Sequence, residues 1–516
     1  MVRFDESRAL TAYSQHAVAE YPTENGPADY ALCLDGRLVG VIEAKKLTIG
    51  AQGILPQAER YSRGVTDGQF DYRGLRVPFL YSTNGEKIRF HDARHELSLS
   101  HWIAGFHTPA ALRELLDYDH RERCRWFTQT PNNDPKLRAY QREANAAVER
   151  GITECKRQML VAMATGTGKT HMTVNQVYRL LKSGVARRVL FLVDRRALAA
   201  QAVRTFASFT PEPGLKLNQL YEVFSQRFQR EDFGAEEHFD PSVLPRDYLL
   251  DPGPQHTFVY VCTIQRMAIN LFGRQAVFDL GDDETADDDA ERLDIPIHAF
   301  DVIIADECHR GYTTSALSVW REVLDHFDAI KIGLTATPAA HTKAYFKDVV
   351  FRYEYERAVR EGHLVDYDVV KVRSDVRMNG LFLREGEEVT LVDPETGSED
   401  RDNLEDEREF AMPDIERKVT SPDANRKIVQ ELKRHAEDHE RRYGRFPKTL
   451  IFAHNDLPHT SHADQIVELC REEFGRGEDF VQKITGRVDR PLQRIREFRN
   501  RQQPGIAVSV DLMSTG

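Results

Sequence analysis

The segment Met159-Leu-Val-Ala-Met-Ala-Thr-Gly-Thr-Gly-Lys-Thr170 decides the fold of this chain. An apolar run leads into a glycine-rich loop that ends in Gly168-Lys169-Thr170, and a helical pattern follows. A strand, a loop of this kind and a helix together bind phosphate groups, because the loop N–H groups and the helix N-terminus surround them. The segment therefore predicts an ATP site on an α/β sheet.

Each residue of this loop has an expected role. Lys169 is expected to reach the β and γ phosphates of ATP, and the Thr170 hydroxyl to bind Mg²⁺. The residues expected to enclose the phosphates are Thr165, Gly166, Thr167 and Gly168. Met163 stands where a strict P-loop has glycine, so the match is imperfect, and the alternative is a glycine-rich turn with an incidental lysine.

The runs around this loop predict a parallel sheet. From residue 136 to about 340, helical patterns alternate with the β-prone runs RQMLVAM, RVLFLVD, TFVYVCT, FDVIIAD and AIKIGLT. This alternation is typical of a parallel sheet covered by helices. A second set, KTLIFAH, FVQKIT and IAVSVD, ends close to Gly516, so we expect a second lobe that is cut short.

A pair of acids follows one of these runs. Asp306-Glu307-Cys308-His309 comes directly after the apolar run from 300 to 305. Both carboxylates are thus predicted at the C-terminal end of a buried strand, where open α/β sheets bind ligands. Asp306 is expected to hold Mg²⁺ through water, and Glu307 to activate the water that attacks ATP.

From Leu137 onward the motifs and their order resemble the DExH-box helicases of superfamily 2, which have two RecA-like lobes. The resemblance implies that LRAYQ, residues 137–141, reads adenine, with Gln141 at the base, and that Arg138 and His309 belong to the nucleotide site. It also implies DNA-backbone contacts from 193–196, Gln201 and 263–265. Residues 335–338 would couple ATP state to DNA, 451–453 would open the second lobe, and 514–516 would begin the fifth motif.

The sixth motif of these helicases supplies an arginine that stabilises charge on the transferred phosphate, and residues 1–516 stop before it. Such an arginine is worth on the order of 10³ or more in rate in related sites. We therefore expect this chain to bind ATP and to hydrolyse it slowly. DNA-stimulated turnover at ordinary helicase rates would contradict that expectation.

A second candidate site lies in DYALCLDGRLVGVIEAK, residues 29–45, which has the pattern of a hairpin with Asp35-Gly36 at its tip. Glu43 and Lys45 are two residues apart on the second strand, so their side chains share one face. Whether Asp29 joins them depends on the register of the two strands.

The register is predicted from the turn. A two-residue turn would place Asp29 on the wrong face of the hairpin. A three-residue loop at 35–37 would instead pair Leu34 with Leu38 and Asp29 with Glu43. We predict this bulged loop, or an irregular start at Asp29 with the same result.

Two carboxylates on one face can hold Mg²⁺, and a neighbouring lysine can orient or deprotonate a water. Asp29, Glu43 and Lys45 resemble the active site of the PD-(D/E)xK nucleases; the alternative is an ordinary solvated strand. Gln57 and Tyr61, four residues apart on a predicted helix, resemble the QxxxY element of those enzymes, and otherwise are a surface glutamine and a packing tyrosine.

The order of nuclease and motor motifs resembles the restriction subunits of type I restriction-modification enzymes. The resemblance implies an α/β chain with a PD-(D/E)xK nuclease domain at 1–125, a first RecA-like lobe at 126–345 and an incomplete second lobe at 346–516. The residues between, 119–135, have turn and linker chemistry. The implied cofactors are ATP and Mg²⁺, and the implied partners are double-stranded DNA and the methyltransferase and specificity subunits.

Composition limits the alternatives. The length predicts about three domains. The net charge of −12 argues against a broad basic DNA-binding surface, so DNA contacts are expected to be local. The six cysteines have no zinc-ligand spacing, and no run of about 18 apolar residues or secretory signal is present, so reduced thiols and a cytoplasmic protein without membrane contact are expected.

Two other functions remain open from the sequence. One is a stand-alone helicase-nuclease of DNA repair or phage defence that needs no methylation partner. The other is a DNA-binding module without catalysis, whose nuclease residues are coincidental.

Overall fold

The computed structural model describes residues 1–46, 53–228, 240–275, 289–309, 314–371, 381–383, 388–392, 399–403, 408–410, 422–456, 461–486, 488 and 490–510. The chain separates into two compact units. The first comprises Met1–Phe228 with Asp240–Leu364, and the second comprises Gln229–Phe239 with Val365–Gly516.

The first unit begins with a seven-stranded mixed sheet in the order β1 to β7. Its strands are β1 (Val2–Arg3), β2 (Gln15–Tyr21), β3 (Ala28–Leu34), β4 (Arg37–Ala44), β5 (Phe79–Thr83), β6 (Ile88–Asp92) and β7 (His101–Ile103). Strands β4 and β5 are parallel, and helix α1 (Leu55–Arg63) lies between them in the chain and packs on both. The buried side of α1, with Leu55, Ala58 and Tyr61, shares a core with Val41 and Leu80 of the sheet.

Two helices follow this sheet, α2 (Pro109–Asp117) and α3 (His120–Gln129). The linker expected at 119–135 is therefore wrong for its first part. Asp119 caps α3 by accepting a hydrogen bond from the Glu122 N–H, and Cys124 and Phe127 are buried. Because only Cys124 and Phe127 are buried in this ten-residue helix, its sequence has too few apolar positions to show a helical periodicity.

The second sheet of the first unit is entirely parallel and has eight strands in the order β11-β10-β12-β9-β13-β14-β8-β15. They are β8 (Gln158–Met163), β9 (Arg188–Val193), β10 (Glu222–Ser225), β11 (Ser242–Val243), β12 (Phe258–Thr263), β13 (Val302–Ala305), β14 (Ile330–Thr335) and β15 (Asp348–Tyr353). The five strands predicted from apolar runs are all present, and the predicted α/β class with a RecA-like parallel sheet is confirmed.

Helices pack around this sheet. They are α4 (Ala139–Thr153), α5 (Lys169–Ser183), α6 (Arg196–Ser208), α7 (Leu217–Leu220), α8 (Arg246–Leu250), α9 (Ile264–Phe272), α10 (Thr314–His326), α11 (Ala340–Phe346) and α12 (Tyr355–Arg360). Strand β15 pairs with β8, so the first unit continues to Leu364, past the expected lobe boundary at 345. The charged ends of β15 hid this edge strand from a search for apolar runs.

The two sheets of the first unit meet at a buried carboxylate. Asp328, just before β14, accepts hydrogen bonds from His101 Nε2 at 2.7 Å and His107 Nε2 at 2.8 Å, and it also pairs with Arg157. Burial alone would raise the pKa of Asp328, but Arg157 and the two histidines hold it well below its ordinary value. This contact joins the far face of the first sheet to the N-terminal ends of β8 and β14.

The second unit contains a three-stranded parallel sheet in the order β20-β22-β21. Its strands are β20 (Thr449–Phe452), β21 (Val481–Lys483) and β22 (Ile506–Ser509), which confirms the three predicted runs, and its helices are α13 (Pro422–Tyr443), α14 (His462–Phe474) and α15 (Pro491–Asn500). Two separate antiparallel ladders pair β16 (Leu381–Leu383) with β19 (Arg408–Phe410), and β17 (Glu388–Val392) with β18 (Glu399–Asn403).

Candidate functional site

The phosphate loop joins β8 to α5. Gly166 and Gly168 have positive φ, at 82° and 77°, which lets the backbone curl before α5 begins at Lys169. The Lys169 side chain is 8% exposed, and its Nζ lies 3.4 Å from the Met163 carbonyl oxygen. Thr165 is exposed and Thr170 half-buried, so their hydroxyls are accessible at the mouth of the loop.

The acid pair faces this lysine. Asp306 and Glu307 follow β13, and Glu307 Oε1 lies 3.4 Å from Lys169 Nζ. Glu307 has a positive φ of 49°, a conformation that costs a non-glycine residue free energy and is found at functional sites. The two predicted halves of the nucleotide site therefore converge on one point.

Burial changes the acidity of this pair. Desolvation and the adjacent charge of Glu307 raise the pKa of Asp306 to about 6, although Lys169 acts in the opposite direction. A cation near Asp306 would compensate both unfavourable effects, which is what Mg²⁺ bound with ATP provides. The donor set of Asp306 and Thr170 thus fits Mg²⁺.

His309 links the acid pair to a neighbouring strand. Its Nδ1 lies 3.3 Å from Glu307 Oε2 and 2.9 Å from the hydroxyl of Thr335 at the end of β14. Thr335 opens the segment that the helicase resemblance assigns to coupling between ATP and DNA. The imidazole of His309 therefore contacts both the acid pair and the first residue of that segment.

Gln141 packs beneath the phosphate loop. Its Nε2 donates to the carbonyl oxygens of Thr167 at 2.9 Å and Gly168 at 3.2 Å, and its Oε1 accepts from the Arg138 N–H. The side chain is 4% exposed, whereas Arg138 is exposed. In this structure Gln141 supports the loop, and its contact with adenine stays a prediction.

Sequence reasoning missed a further support of this loop. The Tyr140 hydroxyl donates to the Thr167 carbonyl oxygen at 2.8 Å, and its ring stacks on Tyr353 of β15 with centroids 3.8 Å apart. Tyr140 lies inside the motif LRAYQ, so its position beside Gln141 was visible, but its partner Tyr353 belongs to the strand that the sequence did not reveal.

The remaining helicase-type segments also follow strands. Residues 193–196 follow β9, and Thr263 ends β12 and caps α9 by accepting from the Arg266 N–H. Thr263–Gln265 and 335–338 thus lie at the same end of the sheet as the phosphate loop, because all these strands are parallel. Residues 514–516 lie outside the described residues, and 451–453 include the end of β20.

The hairpin of the second site does not have the predicted loop. Leu34 pairs with Arg37, so the turn is the two-residue Asp35-Gly36, both with positive φ, at 51° and 73°. Asn-Gly and Asp-Gly favour this turn because its twist matches that of the strands. The extra residue is instead Val39, where the register shifts by one.

This bulge brings Asp29 to the face of Glu43, which is the result that the three-residue loop was expected to give. Beyond it Tyr30 pairs with Ile42, and the same register places Asp29 opposite Glu43. Asp29 Oδ2 also accepts a hydrogen bond from the Ala44 N–H at 2.8 Å. Asp29 and Glu43 therefore share the face of the sheet that carries α1.

Glu43 and Lys45 form a close pair on this face. Lys45 Nζ donates to Glu43 Oε1, and Glu43 is 1% exposed, whereas the Lys45 side chain is 31% exposed. Burial, opposed by Lys45 and reinforced by the charge of Asp29, raises the pKa of Glu43. The hydrogen bond to Glu43 raises the pKa of Lys45, which keeps its ammonium group charged.

Gln57 and Tyr61 lie on α1 above these residues. Gln57 Nε2 donates to the Tyr61 hydroxyl at 3.0 Å, and Arg60 donates to the same oxygen at 3.2 Å. Tyr61 is among the groups that raise the pKa of Lys45, so the predicted helical pair lies near the hairpin site.

The hairpin site fits a divalent cation. Glu43 Oε2 is buried and has no hydrogen-bond partner among the described residues, as expected for an oxygen that a cation would bind. Within the same part of the chain, no three His, Cys, Asp or Glu side chains form a metal cluster. Mg²⁺ needs no such cluster, because one or two carboxylates, water and a substrate phosphate complete its shell.

Within the residues that the structure describes, no helix has the length and apolar character needed to cross a membrane.

Two family models match the chain. Residues 2–116 match the second domain of the type I restriction enzyme EcoKI endonuclease subunit, and residues 134–340 match the res subunit of type III restriction enzymes. The boundary between the two matches falls in the region of α3 and the segment after it.

Curated relatives cover the whole chain. The EcoKI endonuclease subunit of Escherichia coli strain K12 is 30% identical over 585 aligned positions, which include 100% of this chain and 46% of that protein. The EcoAI endonuclease subunit of Escherichia coli is 27% identical over 88% of this chain and 51% of that protein. The chain thus spans about half the length of the curated relatives it matches.

Among solved structures, a fragment from Vibrio vulnificus YJ016 described as an HsdR subunit of a type I restriction enzyme is 19% identical. The match covers 95% of this chain and 74% of that chain, with a TM-score of 0.42. The EcoKI endonuclease subunit is 30% identical over the whole chain, and both family models agree with that match, so this chain belongs to the HsdR-like endonuclease subunits of type I restriction enzymes and carries a helicase-like domain.

Proposed function

We propose that this chain is the part of a restriction subunit that translocates double-stranded DNA with ATP and cleaves it at a Mg²⁺-dependent nuclease site. The observation that carries the proposal is the convergence of Asp29, Glu43 and Lys45 on one sheet face, in a chain whose Lys169 and Glu307 also meet. We assign the nuclease domain to 1–125 and the first motor lobe to the residues from 126 through β15, which moves its boundary with the second lobe from the expected 345 to about Leu364.

In the motor, each residue would act on ATP directly. Lys169 would leave Glu307 and bind the β and γ phosphates, since its 3.4 Å contact is longer than a strong ion pair. Glu307 would then be free to accept the proton of the attacking water. Asp306 and Thr170 would hold Mg²⁺, and the backbone N–H groups of the loop would bind the remaining phosphate oxygens.

In the nuclease, Asp29 and Glu43 would hold Mg²⁺. When bound, Mg²⁺ polarises the phosphodiester and lowers the pKa of a coordinated water. Lys45 would act through its charge, by orienting the attacking water and stabilising the negative transition state, because its raised pKa opposes a role as base. Gln57 and Tyr61 would position Lys45 and the phosphate from above.

The family also suggests partners and setting. We propose that methyltransferase and specificity subunits direct this chain to DNA, as type I enzymes require, and that it acts in the cytoplasm without a membrane. The alternative of a stand-alone helicase-nuclease predicts DNA cleavage by the complete subunit without those partners. The alternative of a non-catalytic DNA-binding module predicts that the hairpin residues can be replaced without effect on cleavage.

The test uses the complete subunit assembled with its partners and three variants, Glu43→Ala, Lys45→Ala and Lys169→Ala. We expect the first two to lose cleavage by at least about 10²-fold while DNA-stimulated ATP hydrolysis is retained. Lys169→Ala is expected to lose hydrolysis, and with it cleavage that depends on translocation.

The matched control is Lys46→Ala, which removes the exposed lysine next to Lys45. It should cleave at the wild-type rate. DNA cleavage that is retained in Glu43→Ala and Lys45→Ala would contradict the proposed nuclease site, at any rate of ATP hydrolysis in these variants.

A further inference from the structure

A row of side chains crosses the first sheet from the cation site to the opposite edge. Glu43 pairs with Ser82, Ser82 pairs with Arg89, and Arg89 pairs with Trp102. Residues directly opposite each other in neighbouring strands point to the same face. Arg89 and Trp102 therefore lie on the face of Glu43, at about 10 Å and 14 Å from it for the usual strand spacing.

Helix α1 leaves the outer end of this row uncovered. The helix instead crosses the neighbouring row of residues on the same face. In that row His91 pairs with Leu80 and lies 4.0 Å from Glu59 of the helix. Arg89 is half-buried and Trp102 is 45% exposed. At this end of the row an elongated ligand can thus lie across β6 and β7 and contact both side chains, whereas Ser82, between them and Glu43, is fully buried.

The guanidinium of Arg89 is held in a fixed position. Its Nε donates to the Ser100 hydroxyl at 2.9 Å, and one Nη donates to the Ser100 carbonyl oxygen at 3.0 Å. Its central carbon lies 5.1 Å from the centre of the Trp102 ring. These contacts reduce the entropy that Arg89 would lose on binding a ligand.

The positive charge of Arg89 is not compensated locally. In the described part of the chain no carboxylate forms an ion pair with it, whereas Arg94, two residues after β6, pairs with Asp92 at 2.6 Å. The row therefore has carboxylates at one end, on β3 and β4, and a cation with an exposed aromatic ring at the other. Such a distribution favours a polyanion that also bears flat apolar groups.

We infer that Arg89 and Trp102 form a subsite for the DNA strand next to the proposed cleavage site. Arg89 contacts a backbone phosphate, and Trp102 packs against the sugar or base of a neighbouring nucleotide. At about 3.4 Å of helix axis per nucleotide, this subsite lies roughly three to four nucleotides from the scissile bond. The inference rests on the proposed nuclease function and adds the direction in which the strand leaves the site.

The experiment compares Arg89→Ala, Arg89→Lys, Trp102→Ala and Trp102→Phe in the complete assembled enzyme. Cleavage and DNA-stimulated ATP hydrolysis are measured on the same DNA over a series of salt concentrations. Arg89→Ala and Trp102→Ala are each expected to lower cleavage about tenfold and leave hydrolysis unchanged. Arg89→Ala should also reduce the salt dependence of DNA binding by about one phosphate contact, and the two conservative variants should restore most of the cleavage.

The matched control is Arg37→Ala. Arg37 lies in the same domain and also stacks on an aromatic ring, Phe70, at 5.9 Å, but it lies at the hairpin tip outside the row. It should cleave normally, and an equal loss in this variant would overturn the inference.

The outcomes separate the inference from the proposed function. If Arg89→Ala and Trp102→Ala cleave at the wild-type rate with an unchanged salt dependence while Glu43→Ala is inactive, the subsite is refuted and the nuclease site stands. If Glu43→Ala cleaves normally, the proposed nuclease function itself fails. Thermal unfolding of each variant is followed, and if Trp102→Ala unfolds, Trp102→Leu keeps the apolar packing and removes the ring in its place.

Discussion

The two candidate sites are assembled in opposite ways. Lys169 and Glu307 are distant in the sequence, and each follows the end of a strand in an entirely parallel sheet. Asp29 and Glu43 instead lie within the two strands of one hairpin, and their alignment depends on a single bulge residue, Val39. The residues of the first site meet in space at the C-terminal ends of the parallel strands. The residues of the second site are close to one another in the sequence as well.

This difference determines how each site responds to small changes in structure. Residues that follow parallel strands lie together at the C-terminal ends of those strands, and a small change in the pairing within the sheet does not alter this. A residue inside a strand moves to the other face when the register shifts by one. The nucleotide site should therefore be sensitive to changes in its own chemical groups and in the phosphate loop, and the hairpin site to shifts in the pairing of its strands.

The largest effect is expected from Glu307→Gln in the complete subunit assembled with its partners. The amide keeps the shape of the side chain and cannot accept the proton of water, so ATP hydrolysis should fall by about 10² to 10⁴-fold. Binding of a fluorescent ATP analogue should be retained. The paired control is Glu43→Gln, which should keep ATP hydrolysis and lose DNA cleavage. ATP hydrolysis by Glu307→Gln at the wild-type rate would show that Glu307 is not the base that activates the attacking water.

A smaller effect is expected from Gly168→Ala in the phosphate loop. Gly168 has a φ of 77°, and an added Cβ would lie 2.6 Å from Gln141 Nε2, so the loop must move away from its support. Strain of this kind costs about 1 to 3 kcal/mol, which would weaken ATP binding roughly 10- to 100-fold.

Gly362→Ala is the control for this change, since it has a φ of 72° and no atom within 4 Å of an added Cβ. Titration of both variants with ATP should show weaker binding in Gly168→Ala alone. Equal affinities would mean that the loop tolerates the contact with Gln141.

The same contrast explains how much of the molecule could be predicted from sequence. The apolar strands of the parallel sheet and the acids that follow β13 were visible, because a buried parallel strand is a continuous apolar run. The hairpin pair is visible as a pattern, but the predicted three-residue turn is wrong, since Asp35-Gly36 forms a two-residue turn and the bulge on β4 brings Asp29 to the face of Glu43.

Other parts gave no local signal. The bulge at Val39 is an apolar residue among apolar residues, and nothing in its type marks it as the extra one. Arg89 and Trp102 lie on two strands, and their common row with Glu43 depends on pairings between distant segments. Helix α3 was hidden by its polar composition.

Acidification should affect the nucleotide site within a defined range. Burial and the charge of Glu307 raise the pKa of Asp306 to about 6, so this carboxyl takes up a proton as the pH falls through that value. Mg²⁺ binds the ionised form, and the Mg²⁺-dependent part of ATP affinity should therefore fall up to about tenfold per pH unit below 6. Titrations with ATP between pH 5 and 8, with and without Mg²⁺, measure this affinity. Asp306→Asn should remove both the Mg²⁺ dependence and the pH dependence. An unchanged pH profile in that variant would mean that another group titrates.

The smallest effect is expected at the hairpin tip, where Gly36→Ala changes the backbone and none of the reacting groups. Gly36 has a φ of 73°, and an added Cβ would lie 3.1 Å from the Thr11 Cα, so the turn should lose about 1 kcal/mol of stability in thermal unfolding. Gly53→Ala, where none of the described residues has an atom within 4 Å of the added Cβ, should be neutral. If the hairpin site depends on the register of its two strands, Gly36→Ala should lower cleavage at elevated temperature before it affects ATP hydrolysis. A simultaneous loss of both activities would mean that the two sites share their stability, and that the hairpin is not an independent determinant of the nuclease.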